Sequence, residues 1–345
     1  MGIFYNRERY KLKKGEIMVK DEKIRVAIAC QGGGSHTAFI AGVLKKILKE
    51  MDDRYEIVGF SGSSGGAICA LMAWYGMLTK GRDGGREEAI RLLDAFWEDN
   101  SASVPLDALL NYWVVSVSRY QGVIPMPEVS PYFYPPWAQE YLRLLLEKHV
   151  DFGRIRGILS SNPASLNLYV GAVEVLSGKF KVFKGPEISA DAILASAAVP
   201  IFLREIHIGE HVYWDGLLSQ NPPVRDFVTE RTEAGLKPDE IWVIQINPEK
   251  REKEPKSVIE IRDRNNELAG NLSLYQEVSF IEKVNEWVDK GYLPEGEYKH
   301  IEMRWIQMDR EDLDIASKFD RSHSFVHEMM AHGEERAGDF LAGLP

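Results

Sequence analysis

Apolar and polar positions alternate between two regimes along the first third of the chain. Residues 25–30, RVAIAC, form a short β-rich run that breaks at the glycines of QGGG. A helical period follows in HTAFIAGVLKKILKE, with Phe39, Val43 and Ile47 on one face. YEIVGFSG, residues 55–62, repeats the strand signal, breaks at glycines again and opens an apolar helix, GAICALMAWYGML. Two strand–glycine–helix units in tandem predict a parallel sheet with helices packed on it.

Further on the pattern is less regular. Residues 87–98 and WAQEYLRLLLEKHV read as helices, whereas 101–137 reads as irregular and rich in aromatics and proline. LNLYVGAVEV and KFKVFKG form a strand pair hinged at Ser177-Gly178, and SADAILASAAV is a small-residue helix stopped by Pro200. HIGEHVYWDG holds a hairpin around Gly209 and runs into a loop, with Pro222 at the start of a further helix. EIWVIQIN and HIEMRWIQM are later strands, and the tail from Ser322 is helical. With no internal repeat or low-complexity linker, residues 1–345 read as a single domain, with a basic arm over 1–23 and a cap over 101–137.

Composition narrows the function. A net charge of −10 argues against nucleic-acid binding. Residues 1–25 nevertheless hold eight Lys/Arg against four Asp/Glu, an arm suited to peripheral contact with an anionic membrane, although a solvated tail is the simpler reading. Two cysteines, Cys30 and Cys69, lie in apolar runs and fit buried thiols in a reducing compartment. The first residues lack the apolar core of a secretory signal, and no run reaches transmembrane length, so a cytoplasmic location is expected.

The candidate chemistry starts at GFSGSSGG, where only Ser64 is central to a G-x-S-x-G frame. A nucleophile on a sharp strand-to-helix turn needs neighbours without side chains, and the helix N-terminus favours developing negative charge. The same frame also suits a glycine-rich turn without chemistry. QGGGSHTAF adds a second strand–helix loop whose backbone N–H groups suit an oxyanion. It lacks the Gly-Lys-Ser/Thr of a phosphate-binding P-loop, and Thr37 breaks the dinucleotide fingerprint. No histidine is well placed as a base. His327-Glu328 with His332 misses the spacing of a zinc-protease helix, so no metal or other cofactor is expected. Asp215-Gly216 supplies a third glycine-flanked loop.

QGGGSHTAFIAGVL, GFSGSSGGAICAL, ILASAAVPIFL and VYWDGLLSQNPPV, in this order, resemble the patatin-like phospholipases, and the C-terminal KFDRSHSFVHEMMAHGEERAGDFL is similar to bacterial members. The likeness runs over residues 24–345. It implies a three-layer α/β/α fold with a mainly parallel central sheet and a lipid acyl hydrolase with a Ser–Asp dyad. Ser64 matches the nucleophile and Asp215 the dyad aspartate. Gly32, Gly33 and Gly34 match the oxyanion loop, and Gly65 is counted with them.

The loop departs from the family pattern at Gln31, where aspartate is usual, at His36, where arginine is usual, and at Thr37, where glycine is usual. His36 is therefore expected to tune the site, and His36→Arg to keep or raise the acylation rate. His36, Trp113 and Trp137 are the candidate substrate contacts, the tryptophans belonging to an aromatic cap suited to lipid or equally to simple packing. The leading reading is a phospholipase A-type hydrolase of lipid esters. A carboxylesterase or thioesterase for soluble acyl esters and a non-catalytic lipid-binding protein are the alternatives.

Overall fold

The computed structural model describes residues 23–81, 84–120, 130–161, 166–200, 202–230 and 233–345. Most of the basic arm, and residues 121–129 of the expected cap, lie outside them. In chain order the elements are β1 (Ile24–Cys30), α1 (Ala38–Glu50), β2 (Tyr55–Gly62), α2 (Gly65–Lys80), α3 (Gly85–Asn100), α4 (Pro105–Tyr120), α5 (Trp137–His149) and α6 (Phe152–Ser161). There follow β3 (Asn167–Glu174), β4 (Phe180–Lys184), α7 (Ala190–Ser196), β5 (Ile206–Ile208), β6 (His211–Asp215), α8 (Asp226–Thr229), β7 (Glu240–Gln245), α9 (Val258–Asp289), β8 (Glu302–Gln307) and α10 (His323–Ala342).

The eight strands form one mixed sheet, ordered β5-β6-β3-β2-β1-β7-β8, with β4 also paired to β3. β1 runs parallel to β2 and β7, β2 to β3, and β7 to β8. The antiparallel pairings all lie at the other end, around β3 and β6. Strand alternation divides the core. Val26, Ile28, Cys30, Trp242 and Ile244 face one layer, packed with α1, α2, α3 and α10. Ala27, Ala29, Ile241 and Val243 face the other, with Leu274, Val278, Ile281 and Val284 of α9. Strands buried on both faces read as continuous apolar runs, which is why β1 and β7 show so little polar alternation.

The fold is thus the α/β sandwich with a mainly parallel sheet that the sequence implied, with three local corrections. The segment expected to be irregular contains α4, opened by Pro105 in the first turn, where its missing N–H costs nothing. Among its residues only Asn111 and Ser118 are buried, while Leu106, Leu109, Tyr112 and Trp113 are exposed, so its apolar pattern does not point to the core. Pro222 starts no helix; it sits in a loop, and the short α8 begins at Asp226. The 32-residue α9 has no counterpart in the sequence reading, because its buried face includes Glu267, Asn271, Glu277 and Asn285. Its start was legible, since Ser257 and Glu260 form a reciprocal capping box.

Candidate active site

The site follows from β1 being the strand from which the sheet grows both ways, to β2 and to β7. Loops leaving the C-terminal ends of parallel strands at such a switch point border a crevice. Cys30 of β1 pairs with Gly62 of β2, so the QGGG loop and the Ser64 turn emerge side by side. Asp215 ends β6 and pairs with Ala172 of β3, the strand next to β2.

Ser64 has φ 54° and ψ −133°, a left-handed conformation costly for a residue with a Cβ. Packing enforces it. A side chain at Gly65 would meet Thr37 Oγ1 and the Gly34 carbonyl, and one at Gly32 would lie 2.9 Å from the Ser64 Cβ. The Ser64 N–H donates to the Ser196 carbonyl at 3.1 Å and to Ser196 Oγ at 3.0 Å. Ser196 Oγ in turn donates to the Gly171 carbonyl of β3 at 2.6 Å. Two residues on, the Ala198 carbonyl accepts the Asp215 N–H at 3.0 Å. The end of α7 therefore holds the backbone of both Ser64 and Asp215.

Asp215 is 1% exposed. Its Oδ1 accepts the Leu217 N–H at 2.7 Å, while Oδ2 has no hydrogen bond of normal geometry among the described residues. Burial pushes its carboxyl up to about 7, against the pull of the Leu217 N–H, the Ser64 side chain and the Lys318 charge. Ser64 and Asp215 both lie on the wall of the same cavity, with no direct hydrogen bond between their side chains.

Of the expected oxyanion donors, Gly32 is already committed, its N–H donating to Asn221 Oδ1 at 2.6 Å. The N–H groups of Gly33, Gly34 and Gly65 have no acceptor among the described residues, and all three glycines line the cavity above Ser64. Gly65 is also the first residue of α2, where the helix dipole adds positive potential. Gln31 anchors the loop from beneath. Its Oε1 accepts the N–H groups of Ile246 and Asn247, both at 2.9 Å, and its Nε2 donates to Asn271 Oδ1 of α9 at 2.9 Å. A neutral amide can do both, whereas a carboxylate would have nothing to donate.

His36 is not where the sequence reading put it. It is 4% exposed and absent from the cavity wall, and its Nε2 lies 2.8 Å from Ser317 Oγ. Burial first, then the Lys318 and Arg310 charges, hold its imidazole well below the usual range, so it is neutral. The positive groups on the cavity wall are Arg321 and Lys318, both missed by sequence reasoning, and the one packed against the glycine loop is Lys318. Its ammonium donates to Asn247 Oδ1 at 2.9 Å and to Asn266 Oδ1, and its backbone carbonyl packs against Gly34. Desolvation lowers its pKa to about 8, opposed by the charges of Glu267, Asp263 and Asp215. The quoted KFDRSHSF stretch contained it, but nothing local marks one lysine near the end of the chain as cavity-facing.

Above these groups lies a cavity of about 700 Å³. Ser64, Asp215, Gly32–Gly34 and Lys318 sit on its wall with Phe96, Leu110, Val114, Phe202 and Leu203. Trp137 lines it; Trp113, 61% exposed, does not.

The fold is an α/β protein with a mixed, mostly parallel sheet flanked by helices, and a large apolar cavity lies at its strand ends with the serine turn on the wall. The model of the patatin-like phospholipase family matches residues 28–228, and the chain belongs to that family, whose members are generally lipid acyl hydrolases. No curated protein matches it. Similar solved structures include VipD from Legionella pneumophila, at 13% identity and a TM-score of 0.40, with 90% of this chain and 67% of that one covered. The ExoU–SpcU complex from Pseudomonas aeruginosa is similar at 15% identity and a TM-score of 0.31, with 92% of this chain and 52% of that one covered. The chain thus spans about half the length of that relative. No helix among the described residues is long and apolar enough to cross a membrane.

Proposed function

We propose that this protein is a serine hydrolase of lipid acyl esters, with Ser64 as nucleophile and Asp215 as the base. The observation that carries the reading is a buried carboxylate, one oxygen of which has no hydrogen bond among the described residues, on the wall of the same apolar cavity as a strained serine. An aspartate with a pKa near 4 is a poor base for a hydroxyl; one raised to about 7 is poised for the task at neutral pH.

In this mechanism an acyl chain lies along Leu110, Val114, Trp137 and Leu203, which brings the ester carbonyl to Ser64. Ser64 Oγ attacks the carbonyl carbon as its proton passes to Asp215 Oδ2. The contact between them tightens when substrate excludes water, as catalytic hydrogen bonds commonly do. The tetrahedral oxyanion is held by the Gly33, Gly34 and Gly65 N–H groups, with Lys318 adding positive potential at the edge. Asp215 returns the proton to the departing alcohol. Water then attacks the acyl-enzyme as Asp215 again takes the proton, and Asp215 gives that proton to Ser64 Oγ as the carboxylic acid leaves, restoring both residues. No metal enters these steps. Within a single domain, α4 and the Tyr134–Trp137 segment act as a cap that closes one side of the cavity.

A fluorophosphonate probe tests the assignment. It should label the wild type covalently at Ser64, label Ser64→Ala not at all, and block release of fatty acid from dispersed phospholipid. Labelling at another serine with hydrolysis intact would remove Ser64 from the reaction.

A further inference from the structure

Away from the cavity, three side chains from two helices converge on one point. His323 and His327 lie one turn apart on α10, so their rings share a face, with centroids 4.1 Å apart. Glu98, near the end of α3, faces both. Its Oε1 is 3.7 Å from His323 Nε2, and its Oε2 is 3.3 Å from His327 Nε2. One donor atom from each of the three lies within 4.8 Å of the other two.

Ion pairing accounts poorly for this arrangement. Glu98 Oε2 and His327 Nε2, 3.3 Å apart, share one hydrogen bond, which leaves the His323 ring, with its centroid 4.1 Å from that of His327, without an explanation. The 3.7 Å separation is also too long for a hydrogen bond. The two N···O separations instead bracket what a shared ion imposes. Ligands about 2.0–2.1 Å from a tetrahedral Zn²⁺ stand roughly 3.4 Å from one another. Two imidazoles with one carboxylate suit zinc and its neighbours rather than calcium or magnesium, which take oxygen ligands. All three side chains are more than half exposed, which gives the ion an entry path and leaves water as the fourth ligand.

We propose that Glu98, His323 and His327 form a binding site for a zinc-class divalent metal that staples the end of α3 to the start of α10. Both joined segments reach the cavity. Phe96 and Trp97 precede Glu98 on α3, and Lys318, Phe319 and Arg321 precede α10; all five line it. The seam is also held by the Ala102 N–H donating to the Arg321 carbonyl at 2.6 Å and by the Arg321 guanidinium, which donates to the Asn100 carbonyl at the end of α3 at 2.9 Å and pairs with Asp107 of α4. The metal therefore acts on the stability of the cavity wall and takes no part in ester cleavage.

The full chain, stripped of metal, is titrated with Zn²⁺ by calorimetry and with Co²⁺ by visible absorption. One equivalent is expected to bind with a Kd of about 10 μM or tighter, with a four-coordinate Co²⁺ spectrum. Zn²⁺ at about a hundredfold excess over Kd should raise the melting temperature by several degrees. His323→Ala and His327→Ala, both surface changes, should each weaken binding at least tenfold, and together abolish the Co²⁺ spectrum. His207→Ala, an exposed histidine elsewhere, should leave both unchanged. A Kd weaker than about 100 μM, or a Co²⁺ spectrum that survives in the double variant, overturns the proposal.

Discussion

The Ser64 N–H is held twice by Ser196, through the carbonyl at 3.1 Å and through Oγ at 3.0 Å, and the same hydroxyl donates to Gly171 of the next strand. The hydroxyl thus joins the strained turn to β3, and Ser196→Ala removes one acceptor and one donor at once. The carbonyl contact survives, so the turn loosens without being lost. Turnover is expected to fall about ten- to a hundredfold with KM little changed, as for a misplaced nucleophile. Steady-state kinetics would show it; unchanged turnover would mean that packing alone holds the elbow.

The three serines of the turn differ in what their hydroxyls do. Ser64→Ala should abolish hydrolysis with the fold retained. Ser63 Oγ donates to the Gln220 carbonyl, so Ser63→Ala should cost about 1 kcal/mol of stability and little activity. Ser61 Oγ is buried without a partner among the described residues, so Ser61→Ala should be neutral or stabilising. Denaturant melts and initial rates on the three variants rank them; a reversed order for Ser61 and Ser63 would contradict the hydrogen-bond assignment.

Asp215→Asn should lower turnover by several orders of magnitude, comparable to the roughly 10⁴-fold loss at a triad aspartate. Its effect on stability should have the opposite sign. Folding raises the Asp215 pKa from the ordinary aspartate range to about 7, so the folded state favours the protonated form. The stability this contributes is complete below about pH 4 and is lost as pH rises through 7, roughly 1.4 kcal/mol per unit of pKa difference at most. The asparagine variant carries no such charge. It should melt higher than wild type at pH 8 and show little advantage at pH 4. Thermal melts at the two values decide it.

The pH–rate profile should have two limbs. Activity rises as Asp215 ionises, around pH 7, and falls as Lys318 loses its proton, around pH 8. Lys318→Met should lower turnover about tenfold to a hundredfold, remove the alkaline limb and move the acid limb to higher pH, because the Lys318 charge no longer holds the Asp215 carboxyl down. An alkaline limb that persists in Lys318→Met would assign it to another group.

For His36 the tertiary structure reverses the expectation drawn from the sequence. An arginine at this place would not approach a reacting oxyanion. It would bury a guanidinium near Lys318 and Arg310, the two charges already disfavouring a cation there. His36→Arg should lower the melting temperature by several degrees and depress activity, whereas His36→Gln, which still reaches Ser317, should be milder. Raised acylation in the arginine variant would restore the earlier reading.

The sequence by itself determined the parallel strand–glycine–helix units, the family, and which serine and aspartate stand where chemistry is proposed. These are local properties. A strand–glycine–helix break records its own backbone demands, and Ser64 is marked by neighbours that must lack side chains. Tertiary structure decided what surrounds them. Lys318 and Arg321, not His36, bring positive charge to the cavity wall, because the segment before α10 packs against the glycine loop from across the fold. Gly32 is spent on Asn221, while Gln31 and Asn271 fasten the loop to α9, a helix hidden from pattern reading by the polar residues on its buried face. α4 shows the converse, with apolar residues turned outward. Periodicity reports burial only when the buried side is the apolar one; around this site burial is set by hydrogen-bond partners distant in sequence, and no local pattern encodes those.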